Sequence, residues 1–322
     1  MKLGVFAVLF ANKPLEEALD LIVSHGLETI EIGTGGYPGN AHCNPAELLT
    51  DKGKRNAFRK LFEDRGLEIS AFSCHGNPLH PQKEIAREHH EQFVQTIELA
   101  EQLDVPVVIG FSGCPGDHEG AKYPNWPVAP WPNDYQDILE WQWSEKVIPY
   151  WRETGKIAAQ RGRKIALELH GGFSAHTPGT LLRLREAVGE TIGANFDPSH
   201  MWWQGIDPVQ AIRVLGRESA IYHFHAKDTS IDPVNVHKHG LTDMQSYALM
   251  LDRAWQFRTV GFGHSMHDWA EMISALRLVG YDGAISIEHE DGLMSVEEGF
   301  SKAVGNLKSV IIREPLGEIW WI

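Results

Sequence analysis

Eight short apolar runs punctuate the chain, at residues 2–10, 29–33, 68–73, 105–111, 164–170, 192–197, 221–227 and 284–289. Each is almost continuously hydrophobic rather than alternating, as strands covered on both faces of a parallel sheet are. The stretches between them carry helical period. Residues 14–25 put Leu15, Ala18, Leu19 and Ile22 on one stripe, and residues 85–103 do the same with Phe93, Ile97, Ala100 and Leu103. Further helices are expected at about 137–160, 180–188, 208–215, 269–279 and 296–311. Several strands open just after a glycine turn, as in His25-Gly26-Leu27 and Arg161-Gly162-Arg163. Glycine past a helix end is a stop signal. Eight strands alternating with helices predict an α/β protein: one closed (β/α)8 TIM barrel over residues 1–312, then an apolar tail over 313–322.

Three stretches break this rhythm, at 37–49, 112–135 and 229–267. All follow the C-terminal end of a strand, the face on which such barrels carry their active sites. Extended loops there are expected to wall or cover a substrate. The tail closes on Ile319-Trp320-Trp321-Ile322, apolar enough to dock on its own barrel or on a partner.

Composition narrows the choice. With 322 residues, 43% of them hydrophobic, the chain can fill one large barrel core. A formal charge of -14 argues against nucleic acid or an anionic membrane as partner. Cys43, Cys74 and Cys114 form no CxxC and leave an odd count, which fits a reducing compartment and a cytoplasmic protein. No apolar run reaches the roughly 18 residues of a membrane-spanning helix, and the apolar N-terminus reads as a first strand rather than a signal peptide.

The chemistry lies where polar residues interrupt the last four runs. Glu168 stands in LELHG, Asp197 in NFDPSH, His225 in HFHAKD and Glu288 in SIEHED. A single strand-end carboxylate is more often a helix cap. Four consecutive strand ends converging at one barrel level are another matter, because an apolar strand does not bury carboxylates without a cation or a strong partner. Three carboxylates and one imidazole suit one divalent ion: Mn2+ first, then Mg2+ or Co2+, with Zn2+ a poorer match. His223 shares the side of His225 but lies farther from the mouth. His170, two residues after Glu168, should share its side, and His200 follows Asp197 by three across Pro198. Around them His75, His170, Lys227 and His264 are candidate substrate contacts. Trp126, Trp131, Trp202 and Trp203 are candidate stacking surfaces for a sugar, with core packing as the alternative. Glu31 reads as a structural salt bridge or a ligand anchor.

The set ELH, NFDPSH, HFHAKD and SIEHED, in this order on the last four strands, resembles the xylose isomerase-like superfamily. More narrowly it resembles the sugar phosphate isomerase/epimerase group, with its ketose 3-epimerases, inosose isomerases and dehydratases, and the catalytic subunit of C-glycoside deglycosidases. The resemblance implies Glu168, Asp197, His225 and Glu288 as metal ligands, Glu168 and Glu288 as acid/base pair, and His200 as a substrate-contacting histidine. It implies proton abstraction next to a sugar carbonyl through a metal-stabilised enediolate, giving isomerisation or epimerisation. The alternative is a metal-dependent lyase or hydratase acting on a keto-sugar or inosose, including 3-keto-glycoside deglycosidation. Two departures point to a specialised substrate. Lys227 follows His225 where ketose epimerases carry an arginine, and the late loop reads RTVGFGHSMHDW, with extra histidines. No glycine-rich phosphate cradle is evident. The expected partners are a small sugar or keto-sugar and, on the resemblance, a second copy or a small accessory subunit.

Overall fold

Eight parallel strands close on themselves into a barrel, the first strand of the chain pairing with both the second and the last. The structure is a computed structural model and describes residues 1–314, 317, 320 and 321. The chain runs β1 (Lys2–Phe6), α1 (Leu15–Ser24), β2 (Thr29–Gly33), α2 (Pro45–Thr50), α3 (Lys52–Glu63), β3 (Glu68–Ser73), α4 (Lys83–Leu103) and β4 (Val107–Phe111). It continues through α5 (Asp134–Trp141), α6 (Ile148–Gln160), β5 (Lys164–Glu168), α7 (Pro178–Val188), β6 (Ile192–Phe196), α8 (Pro198–Trp203), α9 (Pro208–Arg217) and β7 (Ile221–Ala226). The small strands β8 (Asp228–Ile231) and β9 (Trp255–Arg258) bracket α10 (Pro233–His239), and α11 (Met266–Leu278), β10 (Ala284–Ile287) and α12 (Val296–Val310) complete the chain. The barrel and the single (β/α)8 architecture are as the apolar runs predict.

The differences have local causes. The first run stops being a strand at Phe6, and Ala7–Phe10 forms a 3-10 turn. Its last apolar residue packs outward, Phe10 meeting Phe300 of α12 edge-on at 5.2 Å. The fourth strand starts at Val107 because Pro106 has no N–H to give a ladder. Helix α3 is not among the expected elements: KGKRNAFRKLFE buries only Phe58 and Phe62, one i,i+4 pair. It starts where Asp51 accepts a hydrogen bond from the Lys54 N–H. A π-helical turn at Gln142–Val147 joins α5 to α6. The stretch 229–267, expected as a loop, contains an antiparallel pair, Asp228↔Arg258 through Ile231↔Trp255. The turn glycines behave as expected; Gly26 and Gly162 both take φ +67°, open to glycine at no steric cost.

Two register shifts shape the barrel interior. One lies between Ile30 and Glu31 on β2, the other between Ala194 and Asn195 on β6. Bulges re-aim side chains near functional sites, and here they aim Glu31 and Asn195 into the barrel. Between barrel and helices sits a continuous apolar layer in which Trp143, Trp151 and Trp269 are fully buried. Of the tail, Pro315, Leu316, Glu318, Ile319 and Ile322 fall outside the described residues, so the docking of the IWWI end does too. Trp320 and Trp321 are largely exposed. Among the described residues no helix is long and apolar enough to cross a membrane.

Candidate metal centre and substrate cavity

Glu168 is the last residue of β5, paired with Asn195 of β6. Asp197 follows β6 and caps α8: its Oδ1 accepts from the Ser199 N–H at 2.8 Å, with Pro198 at the first helical turn. Asp-Pro is a strong helix opening, since the capping oxygen satisfies one N–H and the proline needs none. The cap uses one oxygen and leaves Oδ2 facing the barrel axis. His225 lies in β7 opposite Ser286 of β10, and Glu288 stands just past β10. Each of the four offers one ligand atom, and those atoms lie within 4.8 Å of one another.

The arrangement around His225 is directional. Its Nε2 sits 2.9 and 3.0 Å from the two oxygens of Glu31. Its Nδ1 lies 3.0 Å from Glu288 Oε2 and 3.4 Å from Glu168 Oε2. With the Nε2 hydrogen given to Glu31, a neutral ring turns a lone pair toward two carboxylates. Such a contact is repulsive unless a proton or a cation intervenes. Asp197 Oδ2, His225 Nδ1 and Glu288 Oε2 are all buried and make no well-aligned hydrogen bond, although the Lys227 ammonium lies 2.7 Å from Glu288 Oε2 and 3.1 Å from Asp197 Oδ2. Three such atoms around one point are rare, because buried polar atoms are nearly always satisfied. The donor set and these atoms fit a divalent cation held by Glu168, Asp197, His225 and Glu288.

Without an ion the site is balanced by its own cations. Lys227 Nζ lies 3.1 Å from Asp197, 2.7 Å from Glu288 and 2.9 Å from Glu290. Burial pulls its pKa down, but the carboxylates outweigh burial and hold it well above the ordinary lysine value. His225 behaves alike: burial lowers it, and the charges of Glu31 and Glu288 more than reverse the effect. Burial raises Glu168, yet His200, His225 and His75 around its two oxygens keep it well below the usual carboxylate range. Glu288 is likewise lowered, its burial outweighed by Lys227 and His225. Asp197 is the exception, pushed up to about 7 by burial despite Lys227. Glu31 is fully buried, and the charge of His225 beside it overrides burial and lowers its pKa.

Histidines surround Glu168. His75 Nε2 is 2.9 Å from Oε2 and His200 Nε2 is 3.1 Å from Oε1, while Asn195 donates to Oε2 at 3.2 Å. Burial and the neighbouring His170 depress His200 to about 3, so it is neutral near pH 7. A cavity of about 280 Å3 opens over these groups, lined by Glu168, His75, His170, Lys227 and Glu288 under aromatic walls from Phe6, Tyr37 and Phe111.

The structure therefore brings Glu168, Asp197, His225, Glu288, His200, His75, His170 and Lys227 together. His264 goes elsewhere. Its Nδ1 is 2.9 Å from buried Asp228 and its ring lies flat on Trp202 at 3.8 Å, so it does not line the cavity. None of the four tryptophans lines it either; Trp126 and Trp203 border a separate hollow of about 440 Å3. Phe6, Phe111 and Glu290 line the cavity and Asn195 hydrogen-bonds to Glu168, and the sequence pattern singles out none of them. Only Asn195 and Glu290 carry a signal, as polar members of NFDPSH and IEHED.

The geometry defines a (β/α)8 barrel with an acidic, histidine-rich pocket at the C-terminal ends of its strands. Residues 19–310 match the family model described as xylose isomerase-like TIM barrel, and the chain belongs to that family. The chain is similar to the uncharacterized protein YfiH of Bacillus subtilis (strain 168), 39% identical over 314 residues, covering 97% of this chain and 99% of YfiH. Among solved structures it resembles the IolI protein with a binding zinc atom, at 19% identity, TM-score 0.66 and coverage of 97% and 98% of the two chains. It also resembles a D-tagatose 3-epimerase-like protein, at 21% identity, TM-score 0.64 and coverage of 96% and 98%.

Proposed function

We propose that this chain is a divalent-metal-dependent sugar isomerase or epimerase that moves a proton on the carbon next to a carbonyl. The observation that carries the reading is the meeting of four buried ligand atoms, from three carboxylates and one imidazole on Glu168, Asp197, His225 and Glu288, within 4.8 Å of one another. Membership of the xylose isomerase-like family and the zinc in the IolI structure support it. The ion would be held by Glu168, Asp197, His225 and Glu288, with Mn2+ the proposed metal. When bound, it supplies the positive charge that polarises a sugar carbonyl and makes the adjacent proton easier to remove.

The remaining work falls to side chains. Glu168 and Glu288 both have depressed pKa values, so both carboxylates are ionised in the resting site. In isomerisation the carboxylate that removes the proton hands the same proton to the neighbouring carbon; in epimerisation the other carboxylate takes a proton from solvent and delivers it to the opposite face, while the first releases its own to water. His75 and His200, hydrogen-bonded to the two oxygens of Glu168, hold that carboxylate in place. The Lys227 ammonium, 2.7 Å from Glu288, is placed to hold a substrate oxygen beside the base. Phe6, Tyr37 and Phe111 narrow the entrance and keep water from the reacting carbon.

The test is exchange of carbon-bound sugar protons for solvent deuterium, followed by NMR, with metal analysis of the same samples. Free ketoses, inosose and 3-keto-glucosides serve as substrates. Wild type should carry one ion and exchange one position, and Glu168→Gln or Glu288→Gln should slow exchange by about 10^2–10^4-fold. Release of a group from the exchanging sugar would move the assignment to a lyase. Wild type that binds no ion, or that exchanges no carbon-bound proton on any of these, overturns the reading.

A further inference from the structure

Two histidines at the centre of the site face it with opposite polarity, and what lies behind each ring decides which way. Behind His225 is an acceptor: Glu31 takes the Nε2 hydrogen and leaves the Nδ1 lone pair toward Glu168 and Glu288. Behind His200 is a donor. The Trp203 indole N–H points at His200 Nδ1 from 3.3 Å, so that nitrogen carries the lone pair and the ring hydrogen sits on Nε2. Nε2 in turn faces Glu168 Oε1 at 3.1 Å and Asp197 Oδ2 at 3.3 Å. In a neutral imidazole one nitrogen donates and the other accepts, and the bond made by one settles the role of the other.

The local sequence builds this contact. Asp197-Pro198 opens α8, and His200 and Trp203 stand three residues apart on it, the spacing at which side chains of one helix face meet. Gln204, next in the chain, donates to the His200 carbonyl at 2.8 Å and fixes the backbone under the imidazole. The indole is held just as firmly. It stacks on Trp255 of β9 at 4.8 Å and 6°. Its far edge fills the space over Gly171, where a Cβ would lie 2.1 Å from the Trp203 ring. His200 is fully buried, with the His170 ring at 4.1 Å and Phe257 edge-on at 5.4 Å. Among the described residues Trp203 is the only group bonded to its Nδ1.

We propose that Trp203 is a positioning residue that locks His200 in the tautomer with its hydrogen on Nε2. The lock makes His200 a standing donor to Glu168. It also keeps His200 out of the metal's ligand set, because a ligating nitrogen must offer its lone pair. His225 and His200 thus divide the work: the ring backed by a carboxylate ligates, and the ring backed by an indole N–H donates. The effect on rate rests on the proposed proton chemistry; the tautomer does not.

The test reads the two ring nitrogens directly. Protein labelled with nitrogen-15 in histidine is compared near neutral pH with and without Zn2+, a diamagnetic ion, and His200 is assigned by its loss in His200→Asn. Wild type should show the His200 hydrogen on Nε2 in both states, while Zn2+ moves the signals of His225. Trp203→Phe keeps an aromatic ring and removes the N–H. Gly171→Ala keeps the indole and crowds it away from His200. In zinc-loaded samples of both, the His200 hydrogen should be shared between the two nitrogens. In both, kcat for exchange of the sugar proton should fall by about 10–100-fold with KM nearly unchanged. A role confined to packing would lower stability and leave the tautomer in place. A hydrogen on Nδ1 in wild type, Zn2+ bound to His200, or variants that keep either the wild-type tautomer or the wild-type kcat overturns the proposal. The wild-type spectrum stands even where a variant folds poorly. The two ideas fail separately. Wild type that exchanges no sugar proton sinks the isomerase reading and leaves the lock to the spectra. Exchange with the His200 hydrogen on Nδ1 sinks only the lock.

Discussion

Replacing Glu31 should weaken metal binding although Glu31 is not one of the four proposed ligands. The carboxylate is fully buried on β2 and accepts from Ser73 Oγ, from Ser286 Oγ at 2.9 Å, and from His225 Nε2 at 2.9 and 3.0 Å. Through the His225 bond it fixes both the tautomer and the ring angle, leaving Nδ1 pointed at Glu168 and Glu288. Removing a partner of this kind costs about 10–100-fold in metal affinity, or about 1.4–2.8 kcal/mol. Glu31→Ala also strands two hydroxyls and one ring N–H at about 1–3 kcal/mol each. Relief of a buried carboxylate offsets part of this, so metal-free stability should fall by about 2–4 kcal/mol. Glu31→Gln keeps an amide oxygen that accepts from Nε2 and should lose less than about tenfold. The assay is calorimetric titration of chelator-treated protein with Mn2+ at about pH 7.5, with urea unfolding in chelator beside it. If the alanine variant binds Mn2+ within about twofold of wild type, the orienting role of Glu31 is wrong.

Lys227→Met removes the ammonium that balances Asp197, Glu288 and Glu290; the metal-free protein should lose about 3–5 kcal/mol, and saturating Mn2+ should restore most of it, read as melting temperature with and without the ion. Burial holds His200 at about 3 and His223 at about 4, below the ordinary histidine value of 6.5. Their contribution is thus present above pH 6.5 and lost as pH falls toward 4 and 3. Urea unfolding in chelator should show each costing about 2 kcal/mol between about pH 7.5 and pH 5. His225, whose pKa is raised, works the other way, its contribution complete below pH 6.5 and lost at high pH, and Asp197, raised to about 7, offsets part of the two-histidine loss between pH 6.5 and pH 5; a metal-free protein no less stable at pH 5 than at pH 6.5 refutes the burial argument. Asp228 accepts from the N–H groups of Thr229, Gly261 and Gly263, from His264 Nδ1 and from Trp269 Nε1. Asp228→Ala should therefore destabilise by about 3 kcal/mol or more, measured by urea unfolding, and a loss under about 1 kcal/mol would show that water replaces it.

What the sequence determined by itself is periodic or local. Continuous apolar runs between amphipathic stretches specify parallel strands covered by helices, and eight of them close a barrel. The strand ends were readable because a carboxylate or imidazole interrupting a buried run stands out against its neighbours, as Glu168, Asp197, His225 and Glu288 do. Asp197 announced its turn as well, since Asp-Pro opens a helix. Helix α3 escaped because its buried face is only two phenylalanines on a charged background. The tertiary structure decided everything that depends on distant partners. Glu31 and His225 are 194 positions apart and meet only because closing the barrel brings β2 near β7 and a bulge turns Glu31 inward. His264 looked like a mouth residue, but Asp228 and Trp202 draw it away once β8 and β9 pair. Local pattern fixes which groups face the axis. Which of them touch, and what space remains between them, is set by closure of the barrel and by packing of the long insertion, and neither can be read one residue at a time.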